Sequence, residues 1–151
     1  MTRTNIITEA KAIIADVARR FPEYEYKLRH TVVNLSDRLK TTAGKANHRF
    51  NMIILSVPIF TRPENIDGFR DTVLHEIAHL LTPGMRHNAI WQSVARRIGG
   101  TAERCHTLAC ERRRGERHKV TCLICGKPMI LGPTQYNRYL ECPIMYKHKK
   151  C

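Results

Sequence analysis

The feature that most limits how this chain can fold is the spacing of His75, Glu76 and His79 within the run His75-Glu76-Ile77-Ala78-His79. Two imidazoles four positions apart share a face on an α-helix, where both can reach one metal ion. Glu76 stands one residue after the first imidazole, placed to take a proton from an attacking water rather than to bind the metal. Leu74, Ile77, Ala78 and Leu81 recur at helical spacing around the motif, which predicts a buried stripe on the same helix. Pro83-Gly84 then stops that helix.

A second helical pattern follows. His87, Ile90, Trp91, Val94, Ala95 and Ile98 fall on one face. His87 opens that face and is expected to point at the motif helix. A third imidazole there completes a three-ligand zinc site with one position left open. The ordinary alternative for His87 is a core or capping histidine.

These residues resemble the SprT-like (Spartan-type) zinc metallopeptidases. That pattern has H-E-x-x-H, a short turn, then a third His opening a helix with an aromatic four residues on. Here it reads His75, Glu76, His79, His87 and Trp91. The resemblance extends upstream through Arg38-Leu39, Ala43-Gly44 and Ile53-Ile54-Leu55-Ser56, and downstream to a Cys-rich tail. A metzincin fits worse: its Gly and third His fall where this chain has Thr82 and Met85. The resemblance implies a zincin-like peptidase core, a C-terminal zinc ribbon, and substrates among proteins bound or crosslinked to DNA. It also implies that a strand beside the cleft, here Asn51–Ser56, receives an extended peptide by edge pairing.

A length of 151 residues suits one domain, or a small one with a metal-stapled module. No apolar run approaches transmembrane length, so no membrane partner is expected. The start, MTRTNIITEAKA, lacks a signal-peptide core, and the expected location is cytoplasmic, with association with DNA there. In such a reducing compartment the six cysteines are better read as zinc ligands than as disulfides. The net charge of +13 calls for an acidic partner, and nucleic acid is the first choice, DNA or RNA. Residues 101–151 carry eleven Lys and Arg against four acids, so the charge leans toward the C-terminal third.

In chain order, Thr4–Phe21 reads as an amphipathic helix capped at Thr4 and ended by Pro22. Tyr24–Leu35 reads as a strand, Asp37–Asn47 as a turn or hairpin, and Arg49–Phe60 as the strongest strand. Residues 61–71 connect to the motif helix, with Pro63 and Asp67 as start signals. Gly99-Gly100 ends the next helix, and 101–118 is a basic linker or short helix. His30, His48 and His118 have no partner pattern and are taken as surface or core residues. Cys105 and Cys110, five apart, are taken as free thiols.

In the tail, Cys122-Leu123-Ile124-Cys125-Gly126-Lys127 is a zinc-knuckle turn, with Cys142 as the third ligand of a structural zinc. A regular ribbon would place its fourth Cys at 145, where Met145 stands. Cys151 is favoured instead, because the family's ribbons are usually all-cysteine, with His148 as the alternative. Tyr136 and Tyr139 suit either base stacking or the ribbon's own core, the second being preferred. Arg112, Arg113, Arg114, Lys147, Lys149 and Lys150 are the expected nucleic-acid contacts.

The reading is an α+β chain in three parts: a metallopeptidase core at 1–100, a linker at 101–118 and a zinc ribbon at 119–151. One catalytic zinc is expected on His75, His79 and His87, with Glu76 as the catalytic base. The second reading is a nucleic-acid-binding zinc protein with little or no proteolysis; Glu76, which a structural site does not need, argues against it. No residue stands at an offset diagnostic of an oxyanion-stabilising group.

Overall fold

A computed structural model describes residues 1–111 and 117–146. It is a mixed α+β structure that divides into two compact units, Met1–Glu111 and a second beginning at Arg112. No described helix is long and apolar enough to cross a membrane.

The first helix, α1, spans Arg3–Arg20. Thr2 caps it, its hydroxyl accepting from the Asn5 N–H at 3.2 Å, so the cap lies two residues before the expected Thr4. Ile6, Ala10, Ile13, Ile14 and Val17 are buried along one face, the three- and four-residue rhythm of an amphipathic helix. Pro22 ends α1 and also opens α2, Pro22–Arg29, at the first helical position. The expected strand over Tyr24–Leu35 is therefore half wrong. Glu23 and Glu25 in the first turn and Lys27 and Arg29 in the last complement the helix dipole, and an Arg29–Glu25 ion pair at 2.7 Å spans one turn. These local terms outweigh the β preference of the two tyrosines.

Strand β1 is Val32–Ser36, β2 is Gly44–Asn47 and β3 is Met52–Ser56. The sheet order is β1-β3-β2, with β3 parallel to β1 and antiparallel to β2. The turn expected around Ala43-Gly44 lies later: Gly44–Asn47 is strand, and the β2–β3 hairpin turns at residues 48–51, where the Asn51 N–H donates to the His48 carbonyl at 3.4 Å. The sheet order also corrects the edge role given to Asn51–Ser56: β3 is paired on both sides, and β1 and β2 are the edge strands, of which β2 is the one beside Glu76. The expected strand reaching Phe60 stops at Ser56, whose side chain accepts from the Ile59 N–H at 3.1 Å and caps the one-turn helix α3, Val57–Phe60.

Helix α4, Phe69–Leu81, carries the motif. Gly68, not Asp67, is its cap residue, and it makes no side-chain cap bond. Its end falls as expected just before Pro83-Gly84. Thr82 closes it with a hydroxyl bond to the Ala78 carbonyl at 2.7 Å. Val73, Leu74, Ile77, Ala78 and Leu80 are buried, and Phe69 packs edge-on against Phe60 at 4.8 Å. Helix α5, Ala89–Arg97, is capped by Asn88, which accepts from the Trp91 N–H at 3.0 Å. Trp91, Ala95 and Ile98 are buried, whereas Ile90, expected on the same face, is 57% exposed.

Residues 101–111, expected to be part of a linker, are tied to the first unit. Asp71 accepts from the Thr101 N–H at 2.7 Å and from its hydroxyl at 2.8 Å. Buried Asn65 donates to the carbonyls of Ile59 at 2.8 Å and Ala109 at 2.7 Å, and accepts from the Ala109 N–H at 2.8 Å. Leu108 and Cys110 pack on the core. This strap has little regular structure because its polar backbone is satisfied by side chains of the body.

In the second unit, β4, His118–Thr121, pairs antiparallel with β5, Pro128–Leu131, and α6 follows at Pro133–Glu141. The calls on Arg112, Arg113, Arg114, Lys147, His148, Lys149, Lys150 and Cys151 lie outside the described residues.

Asn65→Ala removes three hydrogen bonds to part-buried backbone groups. It should lower stability by about 2–4 kcal/mol, read from the urea midpoint at an unchanged denaturant slope. A loss within the error of the wild-type midpoint would mean that the strap is not held at Asn65.

Candidate metal centre

Helix α4 projects His75 and His79 one turn apart, and the bend before α5 brings His87 to meet them. The Nε2 atoms are separated by 3.1 Å for His75–His79, and by 3.2 Å for His79–His87 and His87–His75. Among the described residues these three form the group able to hold a metal ion. The triangle is not a hydrogen-bond network. A neutral imidazole nitrogen either donates or accepts, so three of them cannot satisfy all three pairs, and at least one pair is left with N–H facing N–H or lone pair facing lone pair. A cation removes that conflict. An ion about 2.0–2.1 Å from each nitrogen would see them about 100° apart, close to tetrahedral, with the fourth position open.

Trp91 is the floor of the site. It is fully buried, and its ring centroid lies 4.7 Å from His75, 5.1 Å from His79 and 4.6 Å from His87. The apolar surroundings keep the imidazoles neutral, the form that offers a lone pair. Burial, and then the charge on His87, push His75 down to about 4. Burial, then the charges of His75, His87 and His48, push His79 down to about 4. Burial and then Arg104 lower His87.

Two contributions come from the strap and were not legible in the sequence. The Glu103 backbone carbonyl faces the His75 ring and favours its protonated form, the kind of outer contact that orients a ligand imidazole. His106 is close enough for its charge to be felt at His75, and its Nδ1 is buried without a hydrogen-bond partner.

Glu76 is buried and does not join the nitrogen triangle. Its side chain lies against β2. A Cβ placed on Gly44 would stand 2.8 Å from Glu76 Cγ and 3.0 Å from Oε1. Gly44 is therefore where strand and carboxylate approach too closely for any side chain. Burial pushes Glu76 up to about 7, partly opposed by the Ala46 backbone N–H, which faces the carboxylate. A carboxyl that titrates near neutral pH can accept a proton and return it.

The sequence profile of the SprT-like family matches residues 10–113. The chain belongs to that family. The match covers α1 through the strap, and so includes every residue of the centre described above. The SprT-like family is generally associated with metalloprotease function and with zinc. A search of curated proteins and a search of solved structures each returned no match.

The cysteine-rich turn lies in the second unit. Cys122 is buried; its N–H donates to the Lys127 carbonyl at 2.9 Å, and its carbonyl accepts from the Gly126 N–H at 2.9 Å. Gly126 has φ +67, the left-handed conformation that the turn requires and that glycine adopts without strain. Cys125 and Cys142 are exposed. Tyr136 stacks on His118 at 3.8 Å, and the Tyr139 hydroxyl donates to the Thr121 carbonyl at 3.2 Å. Both tyrosines thus contribute to the unit's own packing. Cys105 is exposed and Cys110 half-buried.

Metal-free protein gives a test of the buried carboxyl. A group whose folded pKa of about 7 exceeds its ordinary 4.5 binds more protons folded than unfolded between those values. It therefore costs stability progressively as pH rises through that window. Metal-free Glu76→Gln should match wild type near pH 4 and exceed it at pH 8, by a margin on the order of 3 kcal/mol. Chemical denaturation at the two pH values measures it, and a margin that does not grow with pH contradicts the burial of a carboxylate at this position.

Proposed function

We propose that this SprT-like protein is a zinc-dependent peptidase that cleaves proteins associated with nucleic acid. The observation that carries the reading is the pairing of a three-imidazole triangle with a buried, non-ligating carboxyl at the next residue. His75, His79 and His87 would hold the zinc, which when bound supplies a Lewis acid that polarises the scissile carbonyl and acidifies water. Glu76 accepts a proton from the attacking water as its oxygen bonds the carbonyl carbon. Glu76 then delivers that proton to the amine as the C–N bond breaks. In the metal-free protein burial raises the Glu76 carboxyl to about 7, and a bound cation beside it would lower it again.

Substrate orientation follows from β2. The Ser56 N–H donates to the Ala43 carbonyl at 2.9 Å. Antiparallel alternation then turns the backbone groups of Gly44 and Ala46 away from β3; the Ala46 N–H faces Glu76, which leaves the Gly44 groups and the Ala46 carbonyl for the free edge. An extended peptide pairing there lies alongside Glu76 and over the three imidazoles. The edge-pairing role thus passes from Asn51–Ser56 to Gly44–Asn47.

For the second unit, the turn at Cys122 and Cys125 supports a structural zinc held with Cys142 and a fourth ligand, Cys151 or His148. Two backbone N–H groups stabilise this turn, and a unit with so small a core gains its stability from metal. The net charge of +13 supports DNA as the partner that brings enzyme and protein substrates together.

Glu76→Gln should abolish cleavage of a DNA-binding protein substrate while zinc content and fold persist, because the amide cannot accept the proton. Digestion at the wild-type rate would overturn the peptidase reading. Gly44→Ala should also keep its zinc yet lose about tenfold or more in kcat, since Glu76 must move from a methyl group placed against it. Steady-state cleavage with metal analysis of the same preparation decides this, and an unchanged kcat would mean that the carboxylate position at β2 is not the productive one.

A further inference from the structure

The turn that joins β2 to β3 is pinned to the C-terminal end of α2 through Asn51. The Asn51 side chain donates to the Lys27 carbonyl at 2.8 Å and accepts from the Thr31 hydroxyl at 3.4 Å, while its backbone carbonyl accepts from the Val32 N–H at 3.0 Å. Asn51 has φ 44, a left-handed conformation that asparagine visits more readily than most residues. Two large aromatic residues stand next in the chain to the partners of that 2.8 Å bond: Phe50 beside Asn51, and Tyr26 beside Lys27. Both rings lie in solvent, 61% and 82% exposed. The turn is held by the Phe50 N–H on the Asn47 side chain at 3.4 Å and by the Asn51 bonds, none of which uses the Phe50 ring. Arg49 sets its guanidinium over that ring, 5.7 Å from the centroid, and makes no ion pair among the described residues. The His30 ring lies against Tyr26 at 4.8 Å. The surrounding segment has one sign of charge: residues 38–63 contain Arg38, Lys40, Lys45, Arg49 and Arg62 and neither Asp nor Glu.

Resting on the reading that the partner is nucleic acid, we propose that this junction in the first unit binds a single strand, with Phe50 stacking on an unpaired base and Arg49 and Lys45 meeting the adjoining phosphates. Stacking on an aromatic ring needs no particular base, because every base has a π-face. In a duplex those faces are covered by neighbouring pairs, so a ring on a turn meets only bases that are already unstacked. The guanidinium lies on one face of the Phe50 ring and leaves the rest of this exposed side chain for a base. Tyr26 offers a second platform for a neighbouring base. A segment with five cations and no carboxylate suits a polyanion, which has a charge at every residue. Phe50 and Tyr26 make no contact with each other, so they form separate platforms rather than one apolar face, which favours bases over a lipid surface. Because β2 runs directly into this turn, a strand held here lies at the end of the edge assigned above to the peptide.

The test uses the zinc-loaded full chain with Phe50→Ala, Phe50→Trp, Tyr26→Ala and Arg49→Gln. Fluorescence anisotropy over a salt series reads binding to a labelled oligothymidylate of about 15 nucleotides and to a duplex of the same length. Co-sedimentation with phosphatidylglycerol vesicles is read beside them. Phe50→Ala and Tyr26→Ala should each bind the oligothymidylate about fivefold or more weakly, with the salt slope unchanged because no charge is lost. Arg49→Gln should flatten that slope by about 0.7, the value for one phosphate contact on a single strand. Phe50→Trp should bind like wild type, and its added indole should be quenched by the oligothymidylate, whereas fully buried Trp91 responds little in the wild type. That quenching decides the matter even where Phe50→Ala folds poorly. Wild-type affinity in Phe50→Ala and no quenching in Phe50→Trp would overturn this site and leave nucleic-acid binding to the rest of the chain. An equal loss on the duplex would overturn the stacking role. Loss of vesicle binding with oligothymidylate binding intact would overturn it too, in favour of a membrane contact. A wild-type chain that binds neither nucleic acid at low salt would instead remove the nucleic-acid reading, and the site with it.

Discussion

Three lone pairs held about 3 Å apart in an apolar setting repel one another, and this constraint governs most of the first unit. Nothing in the triangle of His75, His79 and His87 is self-stabilising without a cation. The frame must hold the rings in place by other means. Helix α4 supplies two of them through its 3.6-residue repeat, anchored by Leu74, Ile77 and Ala78 in the core. The third depends on Asn88, which caps α5 and sets Trp91 beneath all three rings. Removing the positive ion would thus leave an arrangement whose strain the core supports, a common condition of preformed metal sites.

The same burial has opposite effects on the two kinds of group in the site. It pushes the imidazoles of His75 and His79 down to about 4 and the carboxyl of Glu76 up to about 7. Both shifts favour neutral forms, as a low-dielectric setting requires. For the histidines the outcome is a free lone pair near neutral pH. For Glu76 it is a base that gives its proton back readily. One buried setting therefore favours the neutral form of both kinds of group, and Trp91 packs against all three imidazoles.

How much of this could be read from the chain depended on how local each interaction is. The motif helix, its stop at Pro83-Gly84 and the return of His87 were legible because helical spacing and breaker residues act within a few positions. The tight turn over Cys122–Lys127 was legible for the same reason. Helix α2 was missed because Tyr24 and Tyr26 suggest a strand, while Pro22 and the charge order from Glu23 to Arg29 act as helix signals at the ends. The place of β3 in the centre of the sheet was not legible: a parallel partner twenty residues upstream leaves no periodic mark on Met52–Ser56. The strap was read as linker because its restraints, Asp71 on Thr101 and Asn65 on Ala109, are paired polar contacts across 30 and 44 residues, which leave no periodic mark in the sequence. Glu103 contributes through its carbonyl, which has no side-chain signature at all.

Strand β2 shows how a short segment can carry several site functions through alternation alone. Its residues facing α4 are small: no side chain at Gly44 and a methyl at Ala46. Their size follows the available space. The Glu76 side chain fills what would be the Cβ volume of Gly44, so the strand can come close enough there for the Ala46 N–H to face the carboxylate. A shift of one residue in the β2–β3 register would turn Lys45 and Asn47 toward the helix instead, placing an ammonium group in the carboxylate's space. The register is held by the apolar residues of β3, Ile53 and Leu55, which are fully buried. Core packing on the strand next to the edge thus decides which backbone groups a peptide on that edge would meet.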